Sequence, residues 1–392
     1  MRKAKVSYIE RLEHSLVKII QQEGADQNQS APVRLLLAVL WCLSKVFQLV
    51  VCLRYVFYDI GVLRRFPLGC QVISIGNVTA GGTGKTPVTE IFARELAKAG
   101  RKVAILSRGY RRKEAPWWQR MFRNVIEKPV VVSDGRQILV DAATGGDEPY
   151  MLAANLPGVC VLVDRNRVKA GRWAIRKYGC DTLILDDGFQ YQRLKHTLEV
   201  VLVDRTNPFG NGNVLPRGIL REPAENIARA SFVCITKARG GDTAALRRRI
   251  RELNPECGLM ECNHDPTALV DAFTRERFPL ARLKGMKVYA VSGIAAPLSF
   301  ENSLEKLGAT LLERRHFADH HRFSQQEIID IVNRAQEIGA DAVLTTEKDA
   351  VRMTRIDRRA VPVLFLRIEV NFLEGADEFR RCVNEIIFRD AK

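Results

Sequence analysis

Gly81, Gly82, Thr83, Gly84, Lys85 and Thr86 are the residues of this 392-residue chain whose types and spacing point most directly to chemistry. They close the stretch VISIGNVTAGGTGKTP at residues 72–87 and run into the helical pattern EIFARELAKA. A Gly-rich turn between an apolar strand and a helix offers unpaired amide donors to phosphate oxygens. The lysine adds a point charge, and the threonine hydroxyl is a magnesium ligand. The position five before Gly84 is Thr79, not glycine, so the loop is a variant of the usual G-x-x-x-x-G-K-[ST] spacing. A flexible surface turn is the plainer reading, but it leaves the lysine, the threonine and the flanking strand and helix unexplained.

Carboxylates follow at two places. Asp186 and Asp187 end the apolar run TLIL, and the C-terminal end of a strand beside a phosphate loop is where an α/β nucleotide site puts its second magnesium anchor. Asp186 is the first choice and Asp187 the second, against a plain Asp-Asp-Gly turn. Asp147 and Glu148, in GGDEP, sit at a loop-to-helix junction. Asp147 either caps that helix, or the two adjacent carboxylates divide the work, one on magnesium and one taking a proton from an attacking hydroxyl.

Histidines are scarce, six in all, yet HFADHHRFS gathers His316, His320 and His321 around Asp319. A histidine beside a nucleotide site can accept or relay a proton near neutral pH, and a solvated loop is the alternative. The arginines of VDRNR (163–167) and LPRGILREP (215–223) follow apolar strands, where they either clamp a substrate phosphate or face solvent. Cys257, Cys262 and His264 lack the second ligand pair of a zinc finger.

Positioning these groups falls to an alternation of strands and helices. KVAILS, PVVVSD, VCVLVD, TLILDD, EVVLVD and SFVCITK read as strands, with helical EPYMLAANL and VKAGRWAIRKY between them, which predicts a parallel sheet with crossover helices. After the helical RGGDTAALRRRIREL, the strands KVYAVSGI, AVLTTEKD and VPVLFLRIEV predict a smaller second α/β lobe. Upstream, VSYIERLEHSLVKII reads as an amphipathic helix. The apolar run at residues 35–60, interrupted by Lys45, Gln48 and Arg54, suits a helix in the membrane interface, a span or a buried core helix. WWQRMFRN at 117–124 breaks the rhythm and suits either a membrane-facing insertion or a satellite core.

Charge and cysteine usage bound the partners. Lys plus Arg number 61 against 45 acidic residues, a formal +16, so anionic lipid, nucleotide and nucleic acid all qualify. With no nucleic-acid module in the pattern, nucleic acid is not expected. Nine cysteines without a C-x-x-C pair or a secretory framework fit a reduced compartment.

Taken in order, VISIGNVTAGGTGKTP, SRGYRR, GGDEP, LDDGFQ, LPRGILREP, FADHH and TTEKDAVR resemble the tetraacyldisaccharide 4'-kinase (lipid A 4'-kinase) family over residues 35–365. The resemblance implies a P-loop NTPase-like parallel sheet with flanking helices. It also implies transfer of the ATP γ-phosphate to the 4'-hydroxyl of a tetraacyldisaccharide 1-phosphate, giving lipid IV-A, at the cytoplasmic face of the bacterial inner membrane. ATP and Mg2+ are the implied cofactors. By motif, residues 81–86 would hold the phosphates, with Lys85 also catalytic. Thr86, Glu148 and Asp186 or Asp187 would hold the metal, and Asp147 would be the base paired with His320, or with His321 if the register slips by one. Residues 1–30 and 117–124 lie outside the resemblance.

The expected organisation is therefore a polar segment and an apolar membrane-associating helical region over 1–64, a P-loop core over 65–239 and the smaller lobe over 240–392. The glycolipid and a membrane surface are the expected partners, with a peripheral or single N-terminal attachment; the oligomeric state is left open. A rival reading keeps the loop but makes the chain a deviant-Walker ATPase switch that recruits protein partners at a membrane, which leaves GGDEP and FADHH without a purpose.

Overall fold

A computed structural model describes residues 30–109, 128–356 and 360–388. The amphipathic helix expected upstream of residue 30 and the aromatic segment at 117–124 lie outside the described residues. In chain order the main elements are α1 (Ala31–Asp59), β1 (Gln71–Asn77), α2 (Lys85–Lys98), β2 (Val103–Ser107), β3 (Val130–Asp134), α3 (Ala142–Gly145), α4 (Asp147–Asn155), β4 (Cys160–Val163), α5 (Arg167–Tyr178), β5 (Thr182–Asp186), β6 (Leu198–Asp204) and β7 (Phe232–Thr236). They continue with α6 (Ala244–Leu253), β8 (Gly258–Asp271), β9 (Arg277–Phe278), β10 (Lys287–Ser292), α7 (Pro297–Lys306), β11 (Thr310–His316), α8 (Gln325–Glu337), β12 (Ala342–Thr346), α9 (Glu347–Ala350), β13 (Val363–Glu374) and α10 (Ala376–Phe388).

By their internal contacts the residues fall into two compact units that do not follow chain order. One is Met1–Lys85, Thr182–Asn263 and Phe372–Lys392; the other is Thr86–Asp181 and His264–Asn371. The division at residue 239 expected above partitions the chain by sequence order instead.

In the first unit, β8, β7, β6, β1 and β5 lie side by side, all parallel, with β1 between β5 and β6. β1, β5, β6 and β7 are buried along their whole lengths, which is why they read as continuous Val/Ile/Leu runs. Ile75 faces Asp186 in the β1–β5 register, so β5 ends with its carboxylate beside the point where β1 turns into the glycine loop. Gly76 permits the turn after β5 to close on β1: a Cβ there would meet the Phe189 backbone N at 2.7 Å. Helix α1 belongs to this unit. Proline near its start and Gly61 just past its end bracket 29 residues, of which only Ser44, Val51 and Tyr55 are buried.

In the second unit, β2 pairs in parallel with β4, and β3 runs antiparallel to β4. PVVVSD is thus an exception to the parallel sheet expected from the alternation. β11, β10, β12 and β13 form a second parallel series. Apolar clusters lie to both sides of it: Tyr289, Val291, Ile328 and Ile331 in one, Val288, Ala290, Leu304 and Leu344 in the other. The expected strand AVLTTEKD stops at Thr346, whose side chain accepts from Asp349 N and so starts the short helix α9. β8 and β11 were not expected. The polar Asn-His-Asp-Pro in the middle of β8 hides its pattern, and β11, TLLERRH, is largely exposed. The fold class is α/β with mostly parallel strands, flanking helices and one apolar N-terminal helix.

Candidate active site

The first unit holds the glycine loop up to Lys85. Between β1 and α2, Gly81 has a φ of 119°, a left-handed value that favours glycine. The Thr83 hydroxyl is buried without a hydrogen-bond partner among the described residues, a polar atom facing no protein group that satisfies it. Lys85 opens α2 and its Nζ lies 3.2 Å from Asn77 Oδ1 and 3.3 Å from Asp187 Oδ1. Asp187 in turn accepts from Arg221 Nη1 at 2.9 and 2.8 Å. Burial works against the Asp187 charge, but Lys85 and Arg221 outweigh it and hold the carboxyl below the usual carboxylate range.

Asp186 and Asp187 thus differ in placement. Asp186 is the last residue of β5 and is buried, whereas Asp187 stands in the turn beyond at φ 56° and meets Lys85. Arg221, expected as a possible substrate clamp, is engaged by Asp187 within the protein. Hydroxyl and carboxylate oxygens are the donor set that magnesium prefers, so Asp186, Asp187, Thr86 and Glu148 fit that ion chemically. Thr86 and Glu148 belong to the second unit and Asp186 and Asp187 to the first. Among the described residues there is no cluster of three or more His, Cys, Asp or Glu side chains that could hold a metal by itself, which also leaves the Cys257, Cys262 and His264 zinc reading without support.

The second unit gathers the other candidates around Arg352. Gly146, at φ 96°, is the N-cap of α4, so Asp147 is the first helical residue and not the cap. Asp147 Oδ2 accepts from Arg352 Nε at 2.8 Å; its Oδ1 is buried with no hydrogen-bond partner among the described residues, and Arg322 Nη2 lies 3.6 Å from it. Arg352 is itself buried, and it also donates to Gly293 O at 3.2 Å and Asp349 Oδ1 at 3.1 Å. Its Nη2 lies 3.0 Å from His320 Nδ1. Since a guanidinium has no acceptor, His320 Nδ1 must accept, which places the ring proton of a neutral imidazole on Nε2.

Asp147 and His320 are therefore neighbours that share a cation. Their closest approach, Nδ1 to Oδ2, is 3.6 Å, too long for a hydrogen bond. His320 sits at φ 64°, which costs about 1–2 kcal/mol for an L-residue. His321 turns elsewhere: its ring stacks on Phe317 and its Nε2 lies 3.1 Å from Glu327 Oε1, within the capping box that starts α8. Of the two adjacent histidines, His320 is the one beside Asp147. Glu148 pairs with Lys348 Nζ at 2.6 Å.

The organiser missed by residue-level reading is the segment TTEKDAVR. Lys348 reaches Glu148, Asp349 accepts from Gly293 N and Thr346 Oγ1, and Arg352 joins Asp147 to His320. Glu347 and Arg367 pair in the interior, where Arg367 also meets Glu90 of α2. Burial raises the Glu90 carboxyl despite that arginine and Arg94. The available signal was four ionisable residues within six positions directly after an apolar strand.

A family model described as tetraacyldisaccharide-1-P 4'-kinase matches residues 36–387. Proteins named tetraacyldisaccharide 4'-kinase are similar: one from Anaeromyxobacter sp. (strain K) is 42% identical over 84% of this chain and 85% of its own length. Another, from Halothermothrix orenii, is 36% identical over 90% of this chain and 93% of its own. Among solved structures, LpxK from Aquifex aeolicus in complex with ATP superposes with a TM-score of 0.72 at 28% identity, covering 90% of this chain and 99% of that one.

Proposed function

The chain belongs to the tetraacyldisaccharide 4'-kinase family, and from that membership we propose how its residues carry out the reaction. The chain is an ATP-dependent kinase of lipid A biosynthesis. We assign it transfer of the γ-phosphate to the 4'-hydroxyl of a tetraacyldisaccharide 1-phosphate, giving lipid IV-A. The observation that carries the assignment of roles is the Lys85 ammonium held between Asn77 and Asp187 at the mouth of a glycine loop. Such a fixed charge neutralises what builds on the β- and γ-phosphates as the bond breaks.

Residues 81–86 hold the phosphates. Thr86, Glu148 and Asp186 or Asp187 are the residues that would hold magnesium, which when bound offsets phosphate charge. Asp147 receives the acceptor proton on Oδ1, the oxygen without a hydrogen bond among the described residues, while Arg352 fixes Oδ2. His320, with its proton on Nε2, orients rather than deprotonates in the arrangement seen here. Phosphoryl transfer asks mainly for alignment and charge neutralisation, so an acid group and a placed cation suffice. The partner-recruiting ATPase reading has no use for this second cluster and is not favoured.

Membrane association fits the apolar helix. Leu35 is 68% exposed, Val46 60% and Ile60 65%, and the helix is long and apolar enough to cross a bilayer. We place it in the interface on the cytoplasmic face of the inner membrane. Ser44, Arg54 and Tyr55 are bonded to Val214 O, Gln190 O and Glu222, so a helix that crossed the bilayer would have to carry these polar partners in or abandon them.

One experiment decides the reading. Purified chain is incubated with labelled ATP, magnesium and tetraacyldisaccharide 1-phosphate in detergent, and the lipid is analysed for a new phosphate at the 4'-position. Label on that hydroxyl is the expected result. ATP turnover that leaves the glycolipid unmodified overturns it. A separate sedimentation with anionic vesicles tests the helix: attachment resistant to high salt is expected, and complete release by salt overturns the interfacial placement.

A further inference from the structure

The dipeptide Arg221-Glu222 approaches Lys85 by two routes, and one of them begins on the apolar helix. Its backbone lies along the start of the nucleotide loop: Arg221 N donates to Val78 O at 2.7 Å and Ala80 N donates to Ile219 O at 2.6 Å. The first route is the Arg221–Asp187–Lys85 chain already described. The second runs through Glu222, whose carboxylate is completely buried.

A buried carboxylate is tolerated only when donors surround it. Glu222 Oε2 accepts from Tyr55 Oη at 2.7 Å, Asn226 Nδ2 at 2.7 Å and Arg229 Nη2 at 3.0 Å, and Oε1 accepts from Gln190 Nε2 at 2.6 Å. Arg229 stacks over both Tyr55 and Phe189, 4.3 and 4.2 Å from the ring centres. The same Gln190 nitrogen donates to Asn77 O at 2.8 Å, and Asn77 Oδ1 accepts from Lys85 Nζ. Tyr55, Glu222, Gln190 and the Asn77 carbonyl thus form one line of hydrogen bonds, which the Asn77 residue itself joins to Lys85: its backbone is held by Gln190 and its side-chain oxygen meets the ammonium.

We propose that Tyr55, Glu222 and Gln190 are positioning residues for Lys85, so that helix α1 shapes the nucleotide loop as well as supplying an apolar face. The inference rests on the reading of Lys85 as the phosphate-holding lysine. Tyr55 is one of only three buried residues on α1, and its hydroxyl reaches Glu222 while the neighbouring Arg54 reaches the Gln190 carbonyl. Losing that hydroxyl leaves Glu222 one donor short and loosens the carboxylate that seats Gln190 against the Asn77 carbonyl. The end of β1 that carries Asn77 is then less firmly held, and the Asn77 oxygen that aims Lys85 shifts with it, while the bond to Asp187 remains.

The test uses Tyr55→Phe and Gln190→Leu in the full chain. For each, the KM for ATP should rise roughly five- to tenfold while the KM for the glycolipid stays put, and the rise in melting temperature produced by ATP and magnesium should shrink. In a Lys85→Ala background, Tyr55→Phe should have no further effect on the ATP-induced shift, because the line then has no terminus. A lower melting temperature without ATP, combined with wild-type KM and a wild-type ATP-induced shift, would mean that the network merely holds the helix in place and would overturn the proposal. Full silence of both variants overturns it as well. If Tyr55→Phe fails to fold, Gln190→Leu decides alone, since it leaves the Tyr55–Glu222 contact intact. Should the wild-type chain fail to phosphorylate the glycolipid, the kinase assignment falls, but the ATP-induced shifts still decide the positioning role.

Discussion

The nucleotide loop and the Asp147 cluster solve the same electrostatic problem with opposite signs. In the first a cation, Lys85, is held in place by an acid, Asp187; in the second an acid, Asp147, is held by a cation, Arg352. Both charges would be costly to bury alone, so each is kept by a counter-charge that is itself bonded elsewhere. They differ in how far the partner lies along the chain. Asp187, in the turn after β5, is about 100 residues from Lys85, whereas Arg352 lies 205 residues from Asp147. The lesson is that a local motif reveals the working group, and the distant partner that fixes it emerges only when the chain is folded.

The largest effect should come from Lys85→Ala. It removes the point charge that follows the transferring phosphoryl group, so transfer should fall by about 1,000-fold or more while the far-UV spectrum stays native. Near wild-type turnover would break the comparison at its first member.

The second member is sharpened by Arg352. Asp147→Ala and His320→Ala should each lower transfer by about 100-fold with little change in ATP affinity, and the double variant should be little worse, since both groups hang on one guanidinium. Arg352→Ala should be as inactive and also less stable, because it strands Asp147 and the fully buried Asp349, a loss on the order of 3–5 kcal/mol. Arg352→Lys should recover stability more than activity, as an ammonium cannot serve four acceptors in the same plane. Full multiplication of the Asp147 and His320 losses in steady-state rates would show that they act separately.

How much of this was readable in advance follows the same division. The strand, glycine loop and helix at residues 72–98 depend on local pattern, and they fold as the pattern suggests. The carboxylates of β5 were readable because sheet neighbours of the loop end in the same place. What the pattern left open was pairing. GGDEP was compatible with a cap or a base, and it took the helix start at Asp147, with Gly146 as N-cap, to exclude the cap. His320 and His321 were indistinguishable as letters, but the aromatic rings of Phe317 and Phe323 claim one of them. β8 and β11 escaped notice because polar residues interrupt one and charged residues line the other. The buried Tyr55–Glu222 contact spans 167 residues, beyond any periodicity.

A smaller effect separates the metal side from the lysine side of the loop. Thr86→Ala removes one hydroxyl oxygen, so the magnesium concentration for half-maximal transfer should rise by roughly three- to tenfold while kcat at saturating magnesium falls less. An unchanged magnesium requirement would take Thr86 out of the ligand set and leave the loop with Lys85 as its one assigned charge carrier.

The smallest effect tests whether Asp187 is held as described, through stability alone. Its folded-state carboxyl lies below the usual range because Lys85 and Arg221 together outweigh burial. A carboxyl depressed on folding contributes stability that is fully present above its unfolded value, about 4, and is lost as the pH falls through the lower folded value. Between about pH 5 and 3 the wild-type melting temperature should therefore drop more steeply than that of Asp187→Asn, whose side chain does not titrate there. Above pH 6 the two curves should run parallel, with the variant lower by the lost ion pairs. The offset will be modest, since the side chain is 35% exposed and solvent screens part of the attraction. Double variants locate the source: in Arg221→Gln the acid-side difference should shrink, and in Arg221→Gln with Lys85→Met it should nearly vanish. A difference that survives both changes would mean that neither cation holds Asp187, and the symmetry between the two clusters would fail at its acid partner.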